Sequence, residues 1–172
     1  TILKHSHLGG SLSYILANKL ANPIMPAIAL KEIIEEAYQA NPSIIMSAAC
    51  DIDAVRTRDP AVDKWTTPLL YLKWFHALQS YRVTHYLWQQ GRQALAVYLQ
   101  NEISVAFDVD IHPAAKIGCG IMFDHATGIV VGETSVIEND VSILQGATLG
   151  GTGKECGDRH PKIREGVMIG AG

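Results

Sequence analysis

From Ile111 onward the chain counts in sixes. Ile111, Ile117 and Phe123 are followed, after a longer step, by Val131, Ile137, Ile143 and Leu149, and later by Ile163 and Ile169. No helix repeats that way. The fourth residue after most of these leads is small or aliphatic (Ala115, Ile121, Thr127, Ser135, Val141, Ala147, Val167), and glycine follows the lead at 118, 132, 150 and 170. This is the hexapeptide signature of a parallel β-helix. Each hexad forms one short strand and a corner, so three close a triangular coil with the lead aliphatic inside and the small residue in the turn. Successive coils rise by about 4.8 Å and bury one continuous core.

Two steps break the count. Phe123 to Val131 spans eight positions, and Leu149 to Ile163 spans fourteen and encloses "TGKECGDRHPK". Extra residues leave a solenoid as loops, and loops on such scaffolds usually carry function. The first break holds Asp124 and His125; the second holds Asp158, Arg159 and His160. The count also runs to the final "MIGAG" without a polar or helical cap, so we expect further coils to be missing there or another subunit to cover the end; the true N-terminus is expected to be missing as well.

Residues 10 to 107 keep a helical beat instead. In "PSIIMSAACDIDAVRTRDP" the residues Ile44, Ile45, Ala48, Ile52 and Val55 recur every three or four positions, and Asp59-Pro60 supplies a stop. "TPLLYLKWFHALQSYRVTHYLWQQG" reads as a single helix from Thr67-Pro68 to Gly91, with Leu70, Trp74, Leu78, Tyr81, His85 and Trp88 on one stripe. Further helices fit 26–40 and 92–106. Aromatic residues at helical spacing are core rather than a ligand platform, and His76 and His85 read as packed or hydrogen-bonded. The expected fold is α + β: an all-α N-terminal domain, 1–107, followed by a parallel β-helix domain, 108–172, incomplete at its C-terminus.

The 172 residues are 48% hydrophobic and 18% charged, with a formal charge of −3. Without a Lys/Arg block, neither nucleic acid nor an anionic membrane surface has an argument as partner. No apolar run reaches the roughly 18 to 20 residues that a membrane span requires, and "TILKHSHLGG" has no signal-peptide layout. Three cysteines, Cys50, Cys119 and Cys156, without CxxC spacing suggest neither a disulfide framework nor structural zinc. A cytoplasmic location is expected, with a small molecule or another protein as partner.

Near the breaks gather Asp110, His112, Asp124, His125, Arg159 and His160, with no nucleophile motif such as GxSxG. That set points to acid–base work on a substrate's own nucleophile. An imidazole, with an ordinary pKa of about 6.5, accepts a proton at neutral pH, and a carboxylate on its other nitrogen fixes the tautomer. Asp110 lies just before Ile111 and His125 just after Phe123, about one coil apart near one prism edge, which predicts an Asp110–His125 dyad. His112-Pro113 reads as a turn. "LGGTG", 149–153, lacks the layout of a phosphate cradle; its glycines let the backbone leave the coil or a ligand approach closely.

The coils with "DIHPAAKIG", "DHATGIVVGET", "VSILQGATLGGTGK" and "DRHPKI", preceded by "RTRDPA" and "TPLLYLKWFHALQSYR", resemble the serine O-acetyltransferase family over nearly the whole chain. The resemblance implies a left-handed β-helix and attack by the L-serine hydroxyl on acetyl-CoA, a co-substrate, with no permanently bound cofactor and no metal. It implies His125 as general base, Asp110 orienting it, Asp59 and Asp124 on the substrate ammonium, Arg159 on its carboxylate and His160 beside it. Contacts to CoA are implied at Gly151, Thr152 and Ala171. It further implies feedback inhibition by L-cysteine, trimers paired through the helical domains, and O-acetylserine sulfhydrylase as a partner of a C-terminal tail that this chain lacks. Three alternatives stand beside it: another hexapeptide acyltransferase, a metalloenzyme like γ-class carbonic anhydrase using His112, His125 and His160, and a non-catalytic partner-binding subunit.

Overall fold

The computed structural model describes residues 2–172. Among them α1 (Leu8–Leu20), α2 (Ala27–Ala40), α3 (Ser43–Arg58), α4 (Thr66–Tyr71), α5 (Lys73–Gln89) and α6 (Gln93–Phe107) precede nine short strands. The strands are β1 (Val109–Ile111), β2 (Lys116–Ile117), β3 (Met122–Asp124), β4 (Ile129–Val131), β5 (Val136–Ile137), β6 (Ser142–Leu144), β7 (Thr148–Leu149), β8 (Lys162–Ile163) and β9 (Met168–Ile169).

The strands form three parallel sheets, ordered β1-β4-β7, β2-β5-β8 and β3-β6-β9. Every third strand pairs, so the chain winds as three-sided coils. The register stacks the leads of the sixfold count in columns: Ile111, Val131 and Leu149; Ile117, Ile137 and Ile163; Phe123, Ile143 and Ile169. Most of these side chains are buried, and each fully buried one contributes about 1.5–3 kcal/mol. Ala115, Ile121, Ser135, Val141 and Ala147 fill the corners as expected.

Thr127 does not. It is exposed, and Ile129, directly after Gly128 as Ala147 is after Gly146, takes the inner position of that corner. The two extra residues lie between Phe123 and Gly128, which shifts the count there.

The helices cover the first coil. A solenoid's first coil has an open edge whose backbone groups need partners, and α3 and α5 supply them. The Tyr81 hydroxyl donates to the Ala115 carbonyl, and His85 Nδ1 donates to that of Pro113 at 2.7 Å. Arg82 donates to Gly118 at 2.8 Å and Arg58 to Gly120 at 2.9 Å. Asp51, fully buried, accepts from the Ile121 amide at 2.9 Å, from Arg82 at 2.7 Å and from Gln79 at 2.8 Å.

The single helix expected from Thr67 to Gly91 is two, α4 and α5, broken at Leu72 (φ −85°, ψ 108°). His76 Nε2 donates to the Leu69 carbonyl at 2.8 Å, which a continuous helix would give to Lys73. The predicted stripe also widens, because Trp74 to Thr84 are buried without interruption. Contacts with α2, α3 and α6 and with β1 and β3 surround α5.

Candidate active site

The first break is a knuckle at the corner between β3 and β4. His125 (φ 57°) and Ala126 (φ 62°) both adopt the left-handed conformation, at a cost of roughly 1–2 kcal/mol for each non-glycine residue. The Ala126 amide donates to the Asp124 carbonyl at 2.6 Å and the Thr127 amide to that of His125 at 2.9 Å. These tight turns push the His125 side chain outward, where it is 75% exposed with Nε2 3.7 Å from Asp124 Oδ1. Strain of this kind is concentrated where function needs it.

The second break leaves at the next corner, after β7, and returns at β8. There the Thr134 hydroxyl accepts from the amides of Arg159 and His160, both at 3.1 Å, and bonds His160 Nδ1 at 2.8 Å. Glu133 pairs with the Arg159 guanidinium at 3.3 Å, which also donates to the Thr152 carbonyl at 3.4 Å. Two glycines make room. A Cβ on Gly132 would stand 2.0 Å from the His160 ring, and one on Gly151 would stand 2.7 Å from the Arg159 carbonyl. The close approach to Gly151 is therefore made by the chain's own backbone.

His112 borders this second cluster, within the fields of Glu133, Asp110, His160 and Arg159; burial holds it below the ordinary imidazole range against the pull of the carboxylates. Its ring accepts from the Ala114 amide at 3.1 Å, the turn expected of His-Pro.

Among the described residues neither a hydrogen bond nor an ion pair joins Asp110 to His125. Asp110 Oδ1 instead accepts from Gln100 of α6 at 2.7 Å, because α6 turns straight into β1 and lays its last turns beside that strand. Asp59 ends α3 and accepts from the Ala61 amide at 2.9 Å. The preceding Arg58 binds Asp140 at 2.7 Å and Ser142 at 3.3 Å, docking this helix end beside the start of the face whose far end carries Asp124.

The predicted residues thus fall at two corners separated by one face of the prism. Asp124, His125 and Ala171 share one corner, Ala171 preceding Gly172, whose amide bonds the Gln145 carbonyl one coil below. Gly151, Thr152, Arg159 and His160 share the other. Six residues at about 3.3 Å each separate these corners by at most roughly 20 Å. Among the described residues no three His, Cys, Asp or Glu side chains converge on a possible metal position, and His125 stands at a different corner from His112 and His160.

Thr134, Glu133 and Gln100 were not anticipated. Counting hexads finds Thr134, because it lies at the corner that the second break leaves one coil later.

A family profile described as "Serine acetyltransferase, N-terminal" matches residues 1–80. Over its full 172 residues the chain is 84% identical to serine acetyltransferase of Haemophilus influenzae and spans 64% of that protein's length. A solved serine acetyltransferase in complex with cysteine superposes with a TM-score of 0.97 at 84% identity, covering 98% of this chain and 70% of that one. Another, in complex with CoA, gives 0.93 at 80% identity with the same coverage.

Proposed function

The chain belongs to the serine acetyltransferase family, and on that premise we propose that it transfers an acetyl group from acetyl-CoA to the hydroxyl of L-serine. The products are O-acetylserine and free CoA. The observation that carries the mechanism is the strained knuckle presenting an exposed His125 beside Asp124. A base so displayed is open to a bound hydroxyl group.

In this reading His125 takes the hydroxyl proton as the serine oxygen attacks the thioester carbonyl, then returns it to the departing thiolate as the carbon–sulfur bond breaks. Asp110, held by Gln100 in the free chain, orients the imidazole once substrate is bound; such hydrogen bonds often tighten only in the substrate complex. Asp59 and Asp124 take the ammonium group, and Arg159 takes the carboxylate through charge-assisted bonds, with His160 beside it. Gly151, Thr152 and Ala171 contact CoA. L-cysteine, with the same ammonium and carboxylate, competes as the feedback inhibitor.

The two-corner division supports a shared site. In a trimer packed along the coils, the Asp124–His125 corner of one chain meets the Arg159–His160 corner of the next. We further propose that the coils wind left-handed, an exception to the usual crossover rule. The helical part, 1–107, then acts as a domain that pairs two trimers and walls the serine subsite with Asp59, and 108–172 as the transferase domain. A cytoplasmic setting and docking of O-acetylserine sulfhydrylase through a C-terminal tail complete the proposal.

Thiol release from acetyl-CoA tests it. Serine-dependent CoA release is expected, falling about 10²–10⁴-fold in His125→Ala; release that ignores serine contradicts the substrate assignment, and an unchanged rate in the variant contradicts the base.

A further inference from the structure

We propose that Cys50 and Cys119 form a reactive thiol pair that closes to an intrachain disulfide when it meets a peroxide, stapling the helical part of the chain to the first coil. Cys50 lies on α3 immediately before Asp51, whose carboxylate grips the Ile121 amide at 2.9 Å. Cys119 lies two residues before Ile121, in the corner between β2 and β3. Its amide donates to Asn139 Oδ1 at 3.0 Å, and its carbonyl accepts from the Asp140 amide at 2.9 Å. Further along α3, Arg58 bridges the Gly120 carbonyl and Asp140.

Hydrogen bonds therefore clamp the two segments together around the cysteines, and Cys119 stands near enough to Cys50 to raise its thiol. Both are partly exposed, which admits a small oxidant. Neither belongs to the clusters assigned to acetyl transfer. Cys156, exposed on the second break, lies at a different corner.

The order of events follows from their surroundings. Burial, reinforced by the neighbouring Cys119, pushes the Cys50 thiol up to about 11, which suits Cys50 to the second, resolving step. The Cys119 sulfur attacks one oxygen of hydrogen peroxide. The O–O bond breaks, leaving a sulfenic acid and, with the thiol proton, one water. The Cys50 sulfur then attacks the sulfenic sulfur, the S–O bond breaks, and the hydroxyl leaves with the Cys50 proton as a second water. Two thiols and one peroxide become one disulfide and two waters.

The test treats the folded chain with a few equivalents of hydrogen peroxide, alkylates the remaining thiols and maps peptides by mass spectrometry without reduction. We expect a Cys50–Cys119 linked peptide, loss of both thiols with Cys156 still alkylatable, and reversal by dithiothreitol. The link should persist in Cys156→Ser and vanish in Cys50→Ser and Cys119→Ser, with circular dichroism confirming that each variant is folded before oxidation. The oxidised chain should also unfold at higher urea than the reduced chain. The proposal is overturned by a wild-type map in which both thiols remain alkylated, by oxidation confined to Cys156 or to links between chains, or by a lower urea midpoint on oxidation. None of these readouts depends on acetyl transfer.

Discussion

Replacing Asp51 by alanine removes the carboxylate that joins α3, α5 and the first coil. It leaves Arg82, only 7% exposed, with its charge facing carbonyl groups alone, and it leaves the Ile121 amide without its acceptor. Removing one partner of a buried ion pair costs about 3–5 kcal/mol, because the other charge stays buried. At about 2–4 °C per kcal/mol for a chain of this size, the midpoint should fall by roughly 6–20 °C. Urea unfolding at fixed protein concentration, followed by the fluorescence of the buried Trp74, measures the loss directly. A double variant, Asp51→Leu with Arg82→Leu, removes both charges and should be less destabilised than the sum of the single changes by about 1–3 kcal/mol. A loss below about 1 kcal/mol for Asp51→Ala, or strict additivity in the cycle, would refute the view that this pair holds the helices onto the coil.

Two further outcomes follow from the geometry. His76 is fully buried, with Nδ1 unpartnered among the described residues, and burial lowers its pKa to about 4. The unfolded chain, with an ordinary value of about 6.5, takes up the proton first as pH falls, so stability declines from about pH 6.5 and levels off near pH 4. The loss between pH 7.5 and pH 5 is about 2 kcal/mol; an equally steep stability–pH curve in His76→Gln would contradict that source. Gly132→Ala forces the His160 ring from its seat. It should raise the KM for serine at least about tenfold, equivalent to about 1.4 kcal/mol of binding, and an unchanged KM would detach His160 from the substrate site.

The sixfold count was legible because each lead aliphatic has one place to go, the inside of the prism. Its breaks located the knuckle at His125 and the loop at Arg159 for the same reason. What stayed hidden was polar. Asp51 and Arg82 sit in helices where periodicity sends polar groups to solvent, yet the open edge of the first coil holds carbonyls and an amide that only such side chains satisfy. The break at Leu72 arises because His76 takes the Leu69 carbonyl, a competition invisible to hydrophobic spacing. Thr127 was misplaced because the count was carried across an insertion that lies before it. The contact that Asp110 makes in the free chain was equally hidden, because Gln100 approaches it from a helix outside the repeat.

Mixing two inactive variants tests the shared site most directly. His125→Ala and Arg159→Ala damage opposite corners, so chains of the relatives' full length carrying either change should each be nearly inactive. Unfolded together and reassembled, they should regain serine-dependent CoA release, because some interfaces pair an intact His125 corner with an intact Arg159 corner. If the mixture stays as inactive as its components while wild-type chains treated identically recover, the site lies within one chain and the account is wrong.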